Sequence, residues 1–159
     1  MFSQEPESSA IDLLQHLALE RIAPQWAGFL GVLSDELQAQ LTMPEYRALL
    51  VRLGVRFAQV FELPTCHSLP EIESAINKYW NQFQWGFVVF SDAGRQLQIA
   101  HHACPLPAAM QIDADLAGGF LEGAYATWLQ AAGSPAELEL KQLPAAGIPM
   151  YMVFELSAR

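Results

Sequence analysis

Basic residues are scarce in this chain. Eight Lys+Arg stand against 17 Asp+Glu in 159 residues, a net charge of −9 at pH 7. Binding to a phosphate backbone draws on clustered cations, and so does attachment to an anionic membrane surface; this composition argues against both. Charge of either sign is thin, at 16% against about a quarter in an average globular chain. Cysteine is limited to Cys66 and Cys104. Two cysteines make no disulfide framework and read as free thiols in a reducing compartment. No apolar run approaches the roughly 18 residues of a membrane-spanning helix. The opening MFSQEPESSAID lacks a basic segment followed by an apolar one, so it is not read as a secretory signal. The expected location is cytoplasmic, with the periplasmic side left open. P-loop, G-x-G-x-x-G and G-x-S-x-G patterns are also missing.

Apolar residues, by contrast, are abundant. They make up 52% of the chain, and the mean hydropathy is +0.18. One domain of this length can bury a core without disulfides or metal, but it has little polar surface with which to cover itself. Self-association is therefore expected. The stretch 113–132, DADLAGGFLEGAYATWLQAA, organises the reading. Leu116, Phe120, Ala124, Trp128 and Ala131 recur at helical spacing, Asp113 or Asp115 can cap the start, and Gly133-Ser134-Pro135 ends it. Gly118, Gly119 and Gly123 each cost about 1 kcal/mol against Ala in an exposed helix. Close approach of another element along Gly119, Gly123 and Ala126 or Thr127 would offset that cost. The neighbour is either another part of the same chain or a second copy of it.

Residues 1–7 are expected to form a mobile arm, and 8–159 a single α+β domain. Ser8 or Ser9 can cap a first helix with Ile11, Leu14, Leu17 and Ala18 on one side. Trp26, Phe29, Leu30, Leu33, Leu37 and Leu41 mark a second over 25–41. Thr42-Met43-Pro44-Glu45 is a capping box opening a third helix, which carries Gly54 and Ala58 as a second close-packing strip and Arg47, Arg52 and Arg56 on its expected solvated side. Ser68-Leu69-Pro70-Glu71 opens a fourth. At Trp85 the period changes: WGFVVF reads as a buried strand, 92–94 as a turn and RQLQIAHH as its hairpin partner. HACPLPAAMQ reads as a loop. After the Gly-rich helix come ELELKQL, a turn at PAAGIP, and MYMVFEL. The fold expected is N-terminal helices, then two β-hairpins flanking a Gly-rich helix, in a small, mainly antiparallel sheet covered by helices.

Three constellations could carry chemistry. Cys66, His67, His101, His102 and Cys104 offer zinc ligands, although C-H and H-H-x-C match no strong zinc spacing. The same residues offer a Cys–His pair with no orienting carboxylate nearby in sequence. Asp113, Asp115, Glu122, Glu137 and Glu139 offer carboxylate pairs for glycosidic chemistry, but nothing isolates two of them in an apolar setting. No catalytic residue, metal or cofactor is assigned, and the residues read as a non-enzymatic, self-associating domain. A small-molecule binding or sensor module, with a pocket lined by Trp80, Trp85, Tyr125 and Trp128, is the alternative.

A further pattern runs through most of the chain. Phe29-Leu30, Leu33-Ser34-x-Glu36, Leu49-Leu50, Gly54, Pro64-x-Cys66, Trp85-Gly86, Leu97-x-Ile99-x-His101, Pro105, Leu121-Glu122-Gly123-x-Tyr125-x-x-Trp128 and Met150-Tyr151-Met152 follow in order. Their order and spacing resemble the D subunit of bacterial cellulose synthase complexes, with the first 25 or so residues longer than the family pattern. The resemblance implies an accessory, non-catalytic scaffold for making crystalline cellulose. It implies a ring-like octamer built as four dimers, partnered by other components of the synthase complex, with N-terminal segments lining passages for nascent β-1,4-glucan. On that basis Phe2, Ser3, Gln4 and Glu5 are candidate glucan contacts: a neutral glucan asks for flat apolar faces and hydroxyl partners. Leu30, Leu33, Leu37, Gly119, Gly123 and Trp128 are candidate interface residues, since an apolar, glycine-notched surface suits an obligate assembly.

Overall fold

A computed structural model describes residues 5–92, 94 and 96–159. Local chemistry sets most helix starts. α2 (Pro24–Gln40) opens on a proline, where the missing N–H is harmless. Ahead of α3 (Met43–Val60) the Glu45 carboxylate takes the Thr42 N–H at 2.8 Å and the Thr42 hydroxyl at 2.7 Å, which holds the Glu45 carboxyl below its usual range. Ser68 accepts the Glu71 N–H at 3.4 Å ahead of α4 (Leu69–Phe83). Asp113 accepts the Leu116 N–H at 2.7 Å ahead of the Gly-rich α6 (Ala114–Ala131). Two elements depart from expectation. α1 (Glu5–Glu20) begins within the stretch read as an arm. A short α5 (Leu106–Met110) occupies the stretch read as a loop, because prolines suit a first helical turn as well as they suit a loop.

The strands β1 (Phe87–Asp92), β2 (Leu97–His102), β3 (Leu138–Gln142) and β4 (Met152–Ala158) form one antiparallel sheet in the order β1-β2-β4-β3. The second hairpin thus docks β4 against β2, with Ile99 opposite Phe154 and His101 opposite Met152. Val88, Leu97, Ile99, His101, Met152, Phe154, Leu156 and Leu140 are buried on the inner face, as the period of two requires. WGFVVF is not a fully buried strand. β1 is an edge strand with Phe87 and Val89 exposed, and aromatic content alone does not distinguish edge from centre. Its outward backbone groups are covered by α4: Asn77 donates to the Val88 carbonyl at 2.9 Å and accepts the Val88 N–H at 2.8 Å, and Glu73 accepts the Phe90 N–H at 2.5 Å. That blocks further strand pairing at this edge.

The α3–α6 pair is the most extensive helix contact of the fold. A Cβ on Gly54 would land on the Phe120 carbonyl, and one on Gly123 on the Val51 carbonyl. The glycines thus allow backbone-to-backbone contact, and their helix-propensity cost is offset by burial on both helices. Arg47, expected in solvent, instead makes a two-pronged ion pair with Glu122 (3.1 and 3.0 Å) and reaches Gln142 at 3.1 Å. Glu122 also accepts the Gln142 N–H at 2.9 Å. One arginine therefore links α3, α6 and β3.

Candidate assembly surface

The core is closed around aromatics. Trp80 stacks on Trp85 and Phe57 at 5.8 and 5.7 Å and meets Trp128 edge-on at 5.4 Å. Its indole donates to the Tyr125 hydroxyl at 3.0 Å. That hydroxyl lies 2.5 Å from His101 Nδ1, and His101 Nε2 lies 2.7 Å from the Trp85 carbonyl. The Trp85 carbonyl can only accept, so Nε2 carries a proton; burial favours the neutral imidazole, in which Nδ1 then accepts from the Tyr125 hydroxyl. Burial pulls His101 down to about 4, lifts the Tyr125 hydroxyl well above its usual value, and pushes the Cys104 thiol up to about 12. These strongly perturbed groups are sealed in the core. Trp80, Tyr125 and Trp128 are buried and fill space there.

The five candidate zinc or nucleophile residues are dispersed. His101 points inward, whereas His102, its neighbour on β2, stacks on Phe87 on the outer face. Cys66 bonds the Pro64 carbonyl, and the His67 N–H is taken by Glu71. Among the described residues, no three His, Cys, Asp or Glu side chains gather as a metal site. The candidate carboxylates are likewise spent separately: Asp113 on its cap, Glu122 on Arg47, and Glu139 on Lys141 at 3.1 Å.

The expected interface residues divide. Gly119 and Gly123 face α3 within the protomer, and Trp128 is 1% exposed. The structure therefore uses these three for intrachain packing. Leu30 and Leu37 pack partly against the core, while Leu33 stays 38% exposed. Phe2, Ser3 and Gln4 lie outside the described residues, and Glu5 opens α1.

The open apolar surface is at the N-terminal helices. Leu13, Leu14, Leu17 and Leu19 of α1 and Trp26, Phe29, Val32 and Leu33 of α2 are all exposed. On α1 only Ala18 is buried among the described residues, and that helix touches the rest of the fold chiefly through α5. α2 is anchored on its inner side: Gly31 and Ser34 are buried, and the Ser34 hydroxyl bonds the Tyr46 hydroxyl at 3.0 Å. Its outer side carries Trp26 edge-on to Phe29 at 6.1 Å. A helix apolar on both sides is one made to be covered on both. No helix among the described residues is long and apolar enough to cross a membrane, so this face is not that of a membrane-spanning helix.

Comparison with protein families gives the context. The family of the cellulose synthase D subunit matches residues 12–153. The chain belongs to that family. The match takes in most of α1, which the resemblance seen in the sequence leaves beyond the family pattern, together with every later element up to the start of β4. A search of curated proteins finds no match. The D subunit is an accessory part of the cellulose synthase complex, not its catalytic subunit. As a D subunit, the protein associates with other components of that complex.

Proposed function

We propose that this D subunit is a non-catalytic scaffold that self-associates through the outer face of α1 and α2. The product is a ring-like octamer of four dimers that helps organise glucan export and crystallisation. The observation that carries the reading is the apolar surface of those helices. Eight large side chains there are more than a third exposed, and each removed from water would contribute on the order of 1 kcal/mol. Leu33 stays in the proposed interface, with Phe29 and Val32 beside it on the same helix. The strongly perturbed groups are buried in the core, which fits a structural role for them. The free thiols of Cys66 and Cys104 support a reducing, cytoplasmic setting.

The test is the mass of the purified protein by size exclusion with light scattering. Eight protomers of 17.6 kDa give about 141 kDa. A concentration-stable species at that mass, reduced to smaller species by Phe29→Ser with Val32→Asp, is the expected result. A monomer at all concentrations would overturn the scaffold reading.

A further inference from the structure

A recess of about 450 Å³ lies where the end of α1, the end of α4 and the start of β1 meet, with Arg21, Asn81, Gln84 and Phe87 among its walls. None of its lining residues is among the exposed apolar side chains of α1 and α2 named above. Its walls are of two kinds. Phe87 is 47% exposed. One face of its ring is held by the His102 ring at 4.8 Å and 11°, and His102 is backed by Tyr151 at 4.9 Å. Phe87 also lines the recess. The other walls carry the exposed amides of Asn81 and Gln84 and the guanidinium of Arg21.

The backbone around the recess is held in uncommon conformations. Gln84 and Ala103 both line it with positive φ (57° and 60°), joined by Gly86 at 78°. Non-glycine residues adopt that region at a cost, and such positions collect at ligand clamps. A Cβ on Gly86 would strike the His102 carbonyl, so the wall is tightly built.

An aromatic side chain and amides lining one recess are the chemistry that recognises a neutral pyranose. The ring C–H face packs on the aromatic, and amides donate to and accept from the hydroxyls. Only one of the named walls carries a formal charge. We propose that this recess is a binding subsite for a neutral β-linked glucan chain on the outside of the protomer, with Phe87 as its stacking wall. The proposal rests on the cellulose-complex reading for the identity of the sugar. A second copy of the chain is the competing occupant.

The experiment uses the full chain in its native assembly, titrated with cellohexaose by calorimetry and run through gels containing hydroxyethyl cellulose. Expected are binding by the wild type, a loss of about tenfold or more in Phe87→Ala, retention in Phe87→Tyr, and a smaller loss in Gln84→Ala, with mass and melting midpoint unchanged. Binding lost in Phe2→Ala but kept in Phe87→Ala would overturn the proposal, as would a wild type that ignores cellohexaose. A change of mass in Phe87→Ala would assign the face to a second copy and overturn it as well. The scaffold reading is judged separately, by the wild-type mass.

Discussion

The α1–α2 pair and the α3–α6 pair are built from the same kinds of residue and end in opposite situations. α6 buries Leu116, Phe120, Leu121, Ala124, Tyr125, Trp128 and Leu129 against its own chain. α2 buries only Gly31 and Ser34 and leaves Trp26, Phe29 and Val32 in water. The difference lies in what faces each helix. α6 sits between α3 and the sheet, in contact with both. The pair α1–α2 leans on a five-residue helix and one side of α3. An apolar stripe reports that a helix needs a partner. It does not report whether the partner belongs to the same chain.

The contrast can be broken most severely in the body. Gly123→Leu pushes a side chain into the Val51 carbonyl and should cost about 3 kcal/mol or more; urea unfolding with a wild-type midpoint would show that α3 and α6 do not approach as described. Acid comes next. The unfolded imidazole titrates near 6.5, whereas buried His101 holds no proton until about pH 4. The unfolded chain therefore takes up the proton first, and stability present above pH 6.5 is lost as pH falls toward 4, by about 3 kcal/mol. Unfolding free energies at pH 7.5 and 4.5 measure this, and a flat profile would contradict the buried neutral His101. Arg47→Ala removes the tie among α3, α6 and β3 and should cost about 1–2 kcal/mol, read from the same denaturation curves. The smallest effect on protomer stability is expected on the other side of the contrast. Phe29→Ser with Val32→Asp should change it by less than about 0.5 kcal/mol while reducing the mass in solution. Intact mass together with a lowered midpoint would place those residues in the core instead.

Much of the fold is legible in the sequence because its signals are local. The Thr42–Glu45 box, Ser68 and Asp113 define helix starts within one turn, and the alternation Leu97-x-Ile99-x-His101 marks the inner face of β2. α5 is hidden in the sequence because Pro105 and Pro107 serve a loop and a first helical turn equally. The exposure of β1 is hidden because Phe87 and Val89 look like core residues until strand order makes them an edge. Arg47 carries no signal at all, since its partner Glu122 lies 75 residues away.

Composition, caps and periodicity by themselves determined the class of the fold, its element types and a surplus of apolar surface. They could do so because these properties depend on neighbours within a few residues. Tertiary structure decided which surplus is spent inside. It set Gly54, Gly119 and Gly123 between α3 and α6, enclosed His101 with Tyr125 and Trp80, and left α1, α2 and Phe87 facing outward. Those outcomes depend on which distant segments meet, and burial is a property of the meeting and not of the residue.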